Sequence, residues 1–433
     1  MVVVFYPYPM KILVLSCNTF PYPPSRGAAE GRTFNLLKYL HQRHEVTLVT
    51  QRQRWTTDEH VEALRQWVSH LMVFPGEQSE AKPGLLSKVG RFVESVAKTT
   101  PPNVLNRYSP EVQAWVDTFV AAGKCDAIAC EHSVNEVYIR PEFRQSVHTV
   151  VDVHSSVYGW VLNHLEHGAS ENPLRDRLYL PLLYRYEKRY CAKFSSLVAT
   201  TEDDRQKLAA ISPGSPITVV SNGVDLEMFP YRPGDPGGQR LVFVGAMDSS
   251  HNIDAARFFA LEVFPQVRER YPEATLSLVG ARPVAEVLAL KEEPGVIVTG
   301  KVPSMVDSMH EATVCVVPLR VGLGIKTKTL ESMAAGIPIV ASDRGLEGLT
   351  VDAANVPLRA LRANSVAEYV SAIGQLFDNP ALREELSQNA RSMIETTYTW
   401  ERAGQLYEQA LLGTQNSIDF RKSSGTSAEL MEN

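Results

Sequence analysis

Short apolar runs alternate with helix-periodic stretches along almost the whole chain, and the alternation stops and restarts once. KILVLSC, HEVTLVT, DAIAC, HTVVDVH, SLVATT and ITVVSNG make up a first series. Continuous apolar runs of this length mark strands covered on both faces, as in parallel sheets flanked by helices. After the first run, RTFNLLKYLHQ sets apolar residues at helical spacing before the chain returns to EVTLVT, which makes a βαβ unit. FPYRPGDPGGQR, residues 229–240, is dense in Pro and Gly and reads as a linker. Beyond it LVFVGAM, TLSLVGA, GVIVTG, TVCVVPL and PIVAS repeat the pattern, with helices such as NIDAARFFALEVFPQVRER between them. The expectation is an α/β protein of two facing doubly wound, Rossmann-like domains, residues 10–230 and 239–397, with a cleft between them. Ligands in such sheets bind beyond the carboxyl ends of the strands.

The rest of the composition narrows the field. A net charge of −6 argues against a general nucleic-acid binder. No apolar run reaches the length of a membrane span. The apolar start MVVVFYPYPMKILVLSC lacks an early basic region and is interrupted by Pro7, Pro9 and Lys11, so it does not read as a signal peptide. Met10 is an alternative start, because MKILVLS is a natural opening strand. Five scattered cysteines, Cys17, Cys125, Cys130, Cys191 and Cys315, show neither metal-ligand nor redox spacing, and a reducing cytoplasm suits them. The tail at 414–433 has no sustained apolar pattern and is expected to be disordered.

The most informative stretch is GLGIKTKTLESMAAGIPIVAS, residues 322–342. It follows a strand ending near Leu319. Gly322 and Gly324 let the backbone approach a ligand. A helix is expected from about Thr327 to Ala335, stopped by Gly336, with Pro338 just beyond. A helix N-terminus is an anion site. Lys328 supplies a point charge for a phosphate, and Glu331, three residues on and on the same face, can accept from a diol. Phosphate beside a diol describes a nucleoside diphosphate. A Walker-type loop is excluded, since GxxxxGK[ST] does not occur.

This stretch resembles the donor-binding signature of the GT-B glycosyltransferases, specifically the large retaining family four. VVSNGVDLEMF resembles that family's interdomain segment, and SCNTFPYPPSRGAAEGRTFNLLKYLHQRHEVTLVT its opening βαβ unit. LVFVGAMDSSHNIDAARFFALEVFP is similar to a subgroup of bacterial surface-polysaccharide sugar transferases. The resemblance spans about residues 10–412. It implies that Glu331 holds the donor ribose and that Lys328, with Lys326 beside it, binds the diphosphate. Gly27 would admit the donor from the first domain, and His154 would face the transferred sugar. Catalytic roles thus fall to His154 and Lys328. A terminal helix at about 398–412 would pack back on the first domain. The chain departs from the family at Leu323, where many members carry a first glutamate. It also lacks the Arg and Lys that often follow the VFVG-type strand, leaving Arg320 and Arg26 as further candidates for the diphosphate charge.

Other features are weighed on their own. Glu131 and His132, in CEHS, end a strand and are acceptor-side candidates. Asn222 and Asp225 in SNGVD read as a turn within a hinge segment. Two basic, aromatic stretches, 82–98 and 175–194, fall in the first half. The second carries six Arg or Lys against two acids and is interrupted by Pro181. Such stretches suit an anionic membrane surface or a lipid-linked acceptor; ordinary packed helices with a basic outer face are the alternative.

The expected activity is transfer of a sugar, with retention, from a nucleoside diphosphate sugar to a hydroxyl acceptor, a lipid-linked or polysaccharide precursor. No cofactor and no metal are expected, because no divalent-metal cluster is evident in the sequence. The expected location is cytoplasmic, peripheral to the inner face of the cell membrane, with no nucleic-acid partner. A nucleotide-sugar epimerase and a catalytically silent nucleotide-sugar-binding module are the alternatives.

Overall fold

The computed structural model describes residues 9–76, 99–166, 170, 172–322 and 324–413. The basic stretch 82–98, Leu323 and the tail 414–433 lie outside the described residues. Two parallel sheets form the chain. The first contains β1 (Lys11–Ser16), β2 (Glu45–Gln51), β3 (His70–Phe74), β4 (Ala127–Glu131), β5 (His148–Val153), β6 (Ser196–Ala199) and β7 (Ile217–Val219), in the order β3-β2-β1-β4-β5-β6-β7. The second contains β8 (Arg240–Val244), β9 (Thr275–Val279), β10 (Val296–Gly300), β11 (Val314–Val317), β12 (Ile339–Ala341) and β13 (Leu361–Arg362), in the order β10-β9-β8-β11-β12-β13. The order reverses between β1 and β4 and again between β8 and β11. Each reversal opens a crevice at the carboxyl edge of its sheet.

The central strands are buried on both faces, which is why they read as unbroken apolar runs; β1 runs Ile12, Leu13, Val14, Leu15 without an exposed side chain. The same criterion misses β3 and β13. Both are edge strands that are only partly buried, and β13 is two residues long.

The helices that position the site are α1 (Ala28–His41), α2 (Pro110–Ala121), α3 (Pro173–Cys191), α4 (Glu202–Ile211), α5 (Ser250–Phe258), α6 (Thr327–Ala334), α7 (Pro380–Thr397) and α8 (Trp400–Leu411). One expectation is corrected: Pro181 does not interrupt its helix, because α3 runs through it. Pro181 is exposed, so the carbonyl that loses its N–H partner faces water. Tyr186 and Tyr190 anchor the buried side of the same helix.

The chain passes between the sheets twice, and the two crossings lie side by side. The Val224 amide donates to the Tyr398 carbonyl at 2.8 Å, and Val224 bridges Thr399. Gly223 lies so close to the Thr399–Trp400 backbone that a side chain there would collide with it. Beyond the second crossing, α8 lies on α1, with Gly404 against the Tyr39 ring. The Pro/Gly stretch 229–240 is less free than its composition suggests. Arg232 within it is 2% exposed, and its amide donates to the Ala335 carbonyl. All five cysteines are buried free thiols.

Candidate active site

The second sheet builds one half of the site where β8 and β11 part. Gly322 and Gly324 follow β11 with φ of +112° and +77°, in the region that favours glycine. They turn the chain into α6, whose first turn no side chain caps. Three groups converge there. The Lys328 ammonium donates to Asn252 Oδ1 and lies 4.6 Å from the centre of the Phe243 ring. The Lys326 ammonium donates to the Gly324 carbonyl and pairs with Glu347 at 3.2 Å. Glu331, one turn into α6, is half-buried and has no hydrogen-bond or ion-pair partner among the described residues.

Burial sets the charge states. It pushes Lys328 down to about 7, with Glu331 pulling the other way and Lys326 adding to the fall. It pushes Glu331 up to about 7, against the pull of Lys328. Lys326 is also lowered, by burial first, although Glu347 opposes this. A half-buried acid and a buried amine are thus each held near neutrality. The approach of an anion would favour the charged form of the lysine, and hydroxyl donors that of the acid.

Two residues of this half escape sequence reasoning. His251, at the start of α5, is lowered to about 4 by burial and then by Lys328 and Lys326, so it stands neutral beside the lysines. Asn252 holds Lys328 and donates to the Ala246 carbonyl at 2.8 Å. The signal was the turn after β8, GAMDSSHN, which carries polar side chains where a strand ends. Gly245 in this turn leaves room for both side chains. A Cβ there would lie 2.7 Å from the Lys328 ammonium and 2.8 Å from Asn252 Nδ2.

The first sheet supplies the other half at the ends of β4 and β5. His154 follows β5, and its Nε2 lies 3.6 Å from Asp152 Oδ2 and 3.9 Å from Glu131 Oε2. That nitrogen is buried and too far from either oxygen for a hydrogen bond. Both carboxylates are held from behind. Arg32 of α1 grips Asp152 with two bonds, Nε to Oδ2 at 2.7 Å and Nη2 to Oδ1 at 2.9 Å, and reaches Asn222 in the first crossing at 3.0 Å. Thr33 donates to Glu131 Oε2 at 3.3 Å, and Tyr407 of α8 donates to Glu131 Oε1. Burial alone would lower His154, but Asp152 and then Glu131 outweigh it and the imidazole is raised above its ordinary value. Burial would raise Asp152, but Arg32 and His154 drive it well below the carboxylate range. The residues on α1 and α8 and Asn222 were not singled out for this role by the sequence, because a buried Arg at helical spacing looks like any polar position until its partner is known.

Glu131 and His132 separate in role. Glu131 belongs to the His154 group. His132 instead caps the short helix Ser133–Tyr138, accepting from the Val134 amide, with φ at +69°. Its ring centre lies 5.0 Å from that of His154, and burial, then the neighbouring His154, lowers it to about 3. Gly27 is the exposed N-cap of α1, where a Cβ would meet only the Glu30 carboxylate. Two expected phosphate partners lie elsewhere. Arg320 pairs with Asp254 on the surface, and Arg26 stacks 3.8 Å over Trp55. Asp225 does form a turn, accepting from the Glu227 and Met228 amides.

The halves meet beside His154. Thr200 Oγ1 lies 3.4 Å from the His154 carbonyl, and a Cβ on Gly324 would lie 3.8 Å from the same hydroxyl. Ile325 and Thr201 both flank Gly348. The loop that carries Lys326 and Lys328 thus passes beside the segment that follows β6 and touches the His154 backbone. Glu131, Asp152 and His154 also bring three metal-capable atoms within 4.8 Å of one another. The cluster already contains a cation, however, since both Asp152 oxygens face the Arg32 guanidinium.

Comparison with known proteins places the two halves in a family. The model described as Glycosyltransferase Family 4 matches residues 29–228, and that described as Glycosyl transferases group 1 matches residues 238–379. The chain is 25% identical over 225 residues to a lipopolysaccharide 1,2-N-acetylglucosaminetransferase of Salmonella typhimurium, covering 46% of this chain and 57% of that one. It is 28% identical over 234 residues to a D-inositol 3-phosphate glycosyltransferase of Frankia alni, covering 47% and 55%. The matches therefore span little more than half the length of these relatives. Among solved structures, Anabaena HepE in complex with UDP superposes with a TM-score of 0.63 at 15% identity, covering 93% of this chain and 100% of that one. A glycosyltransferase from Rickettsia africae gives 0.61 at 11% identity, covering 94% and 98%. At these identities the likeness is one of fold.

Proposed function

We propose that this chain, which belongs to the group 1 glycosyltransferases and has the GT-B fold, moves a sugar from a nucleoside diphosphate sugar to a hydroxyl acceptor with retention of configuration. The observation that carries the reading is that Lys328 and Glu331 influence each other's charge on the uncapped first turns of α6, where the Glu331 carboxylate has no hydrogen-bond or ion-pair partner among the described residues. Glu331 accepts from the ribose hydroxyls. Lys328, Lys326 and the α6 N-terminus take the charge that develops on the departing diphosphate. The bond from the anomeric carbon to the phosphate oxygen breaks, and the acceptor oxygen bonds to the same face. The acceptor proton passes to the departing phosphate. His154, kept more basic by Asp152 and Glu131 beside it, orients the sugar. Neither carboxylate is free to act as a nucleophile, because each is engaged by other side chains. The reading needs no resident metal, since the positive charge is supplied by side chains. Closure of the cleft excludes water from the donor.

UDP is the first nucleotide to try, because the HepE structures contain UDP, UDP with glucose, or UDP-glucose. Turnover of a UDP-sugar panel, with and without acceptors, tests the proposal. Tight binding without transfer to any acceptor would overturn it in favour of a silent binding module. Acceptor-free isomerisation of the sugar would favour an epimerase.

The reading extends to a lipid-linked acceptor at a membrane surface. No helix of the described residues is long and apolar enough to cross a membrane. On α3, Leu174 and Leu178 are 75% and 78% exposed, with Trp160 nearby at 46% and Arg175 and Arg177 alongside. Apolar side chains bordered by cations suit an anionic interface. Leu174→Ser with Leu178→Ser should reduce binding to phosphatidylglycerol vesicles and leave donor hydrolysis unchanged. A wild-type chain that ignores such vesicles at low salt would remove this part of the reading alone.

A further inference from the structure

A cavity of about 740 Å³ opens at the carboxyl ends of β1, β2 and β3, apart from the lysine and histidine groups. Arg52 and Arg54 line it from the segment after β2, just ahead of Trp55, and Arg107 lines it from the loop before α2. A fourth arginine, Arg26, stacks on Trp55. Glu111 is the acidic residue among the lining residues. In a chain whose net charge is −6, such a concentration of guanidinium groups does not follow from composition. Arg52 pairs with Asp58, but that carboxylate is 87% exposed, so the pair is weak and its cation exchangeable. The Arg107 Nη1 donates to the Asn18 carbonyl at 2.8 Å, which fixes the fork and uses one of its five N–H donors. Trp55 and Tyr108 add aromatic surface to the lining.

The cavity is connected to the reaction side of the sheet. Asn135 accepts from the Cys17 amide at 3.0 Å, lies 2.6 Å from Asn18 Oδ1 and donates to the Glu131 carbonyl. In the strand order, β2 and β5 are three spacings apart, about 14 Å at the usual strand separation. A molecule that reaches both Arg52 and His154 is therefore extended across the strand ends.

We propose that this cavity binds an anionic group of the acceptor, a phosphate or carboxylate on a glycan, at a distance from the hydroxyl that reacts. The inference rests on the proposed transferase reading and names the acceptor's chemical class. Guanidinium forks match the oxygens of phosphate and carboxylate bidentately, while the aromatic rings cover the sugar faces beside them.

Calorimetry on the intact chain with UDP present tests it, with glucose 6-phosphate, glucuronate and glucose as probes. At low salt one or both anions should bind about tenfold or more tighter than glucose, as a charge-assisted fork predicts. The advantage should shrink with salt. Arg54→Gln and Arg107→Gln should each remove most of it while UDP affinity stays unchanged, which also shows that the variants fold. Glucose 6-phosphate preferred over glucuronate identifies a phosphate, and the reverse a carboxylate. Equal binding of all three probes, no heat from any at millimolar concentration, or Arg variants that keep the preference would overturn the proposal. The two readings fail separately. Anion binding without any transfer refutes the transferase and leaves the cavity. Transfer to neutral acceptors untouched by the Arg variants, with no anion preference, refutes the cavity and leaves the transferase.

Discussion

The Tyr407 phenol donates to the Glu131 carboxylate, so a helix that begins beyond the second crossing holds a strand end 276 positions earlier. Both residues are buried, and Glu131 Oε2 faces His154. The end of the chain is thereby part of the support for the histidine.

Tyr407→Phe removes that donor and keeps the ring. A hydrogen bond to a buried carboxylate is worth about 1.5–3 kcal/mol, so the denaturation midpoint should fall by a corresponding amount. Transfer should slow, with donor affinity unchanged. A midpoint equal to wild type would mean that Thr33 alone holds Glu131.

Asp152→Asn leaves Arg32 buried and half-paired. Removing one partner of a buried ion pair costs about 3–5 kcal/mol. His154 should also titrate lower by NMR, because Asp152 is the main group that raises it. The sign for stability follows. A raised histidine stabilises the fold fully below its unfolded pKa and loses that contribution as pH rises through the folded value. At acid pH the variant should therefore lose more stability, relative to wild type, than the ion pair alone explains, and this extra loss should vanish as the pH rises above the wild-type His154 midpoint. A His154 midpoint that does not move would refute the coupling.

Glu331→Gln should separate stability from binding. A carboxyl raised to about 7 holds its proton in the folded chain more tightly than in the unfolded one, so stability falls as pH rises from about 4.5 to 7. At pH 8 the ligand-free variant should melt higher than wild type, since an amide carries no charge to bury. Its UDP affinity should nonetheless drop, and Glu331→Ala should cost about ten- to a hundredfold. Unchanged affinity measured by calorimetry would remove Glu331 from the ribose site.

Lys328, lowered to about 7, should take up a proton when a diphosphate arrives. UDP affinity should then decline as pH rises above about 7 and toward the bound-state value. Calorimetry at pH 8 in buffers of different ionisation enthalpy should detect the uptake. Lys328→Ala should abolish it and weaken UDP far more than uridine. Gly245→Ala should imitate the loss, because the new Cβ displaces the ammonium. Equal losses for UDP and uridine would indicate general damage to the loop.

The central architecture was legible because strands such as β1 and β4 are buried on both faces and advertise it by unbroken apolar runs. The edge strands β3 and β13 were not, since partial burial erases that signature. Lys326, Lys328 and Glu331 could be singled out because they lie within six consecutive residues on a turn and one helix face. Arg32, Asp152, Asn222 and Tyr407 could not, because their relation is long-range. Arg32 lies 120 positions from Asp152 and 190 from Asn222, and no local spacing encodes such pairs. Arg320 and Arg26 looked available for phosphate, but Asp254 and Trp55 already engage them, and partners of that kind are invisible without coordinates.

The paired passage of the backbone at Val224 and Thr399 has a mechanical meaning. A body held by one tether can swing and twist in every direction. One held by two neighbouring, hydrogen-bonded tethers resists splaying. Asn222 sits on one tether and grips Arg32, while α8 springs from the other and carries Tyr407 to Glu131. Both backbone passages between the sheets are therefore tied to the two carboxylates beside His154, so a relative displacement of the halves would be felt at the histidine's own mounting.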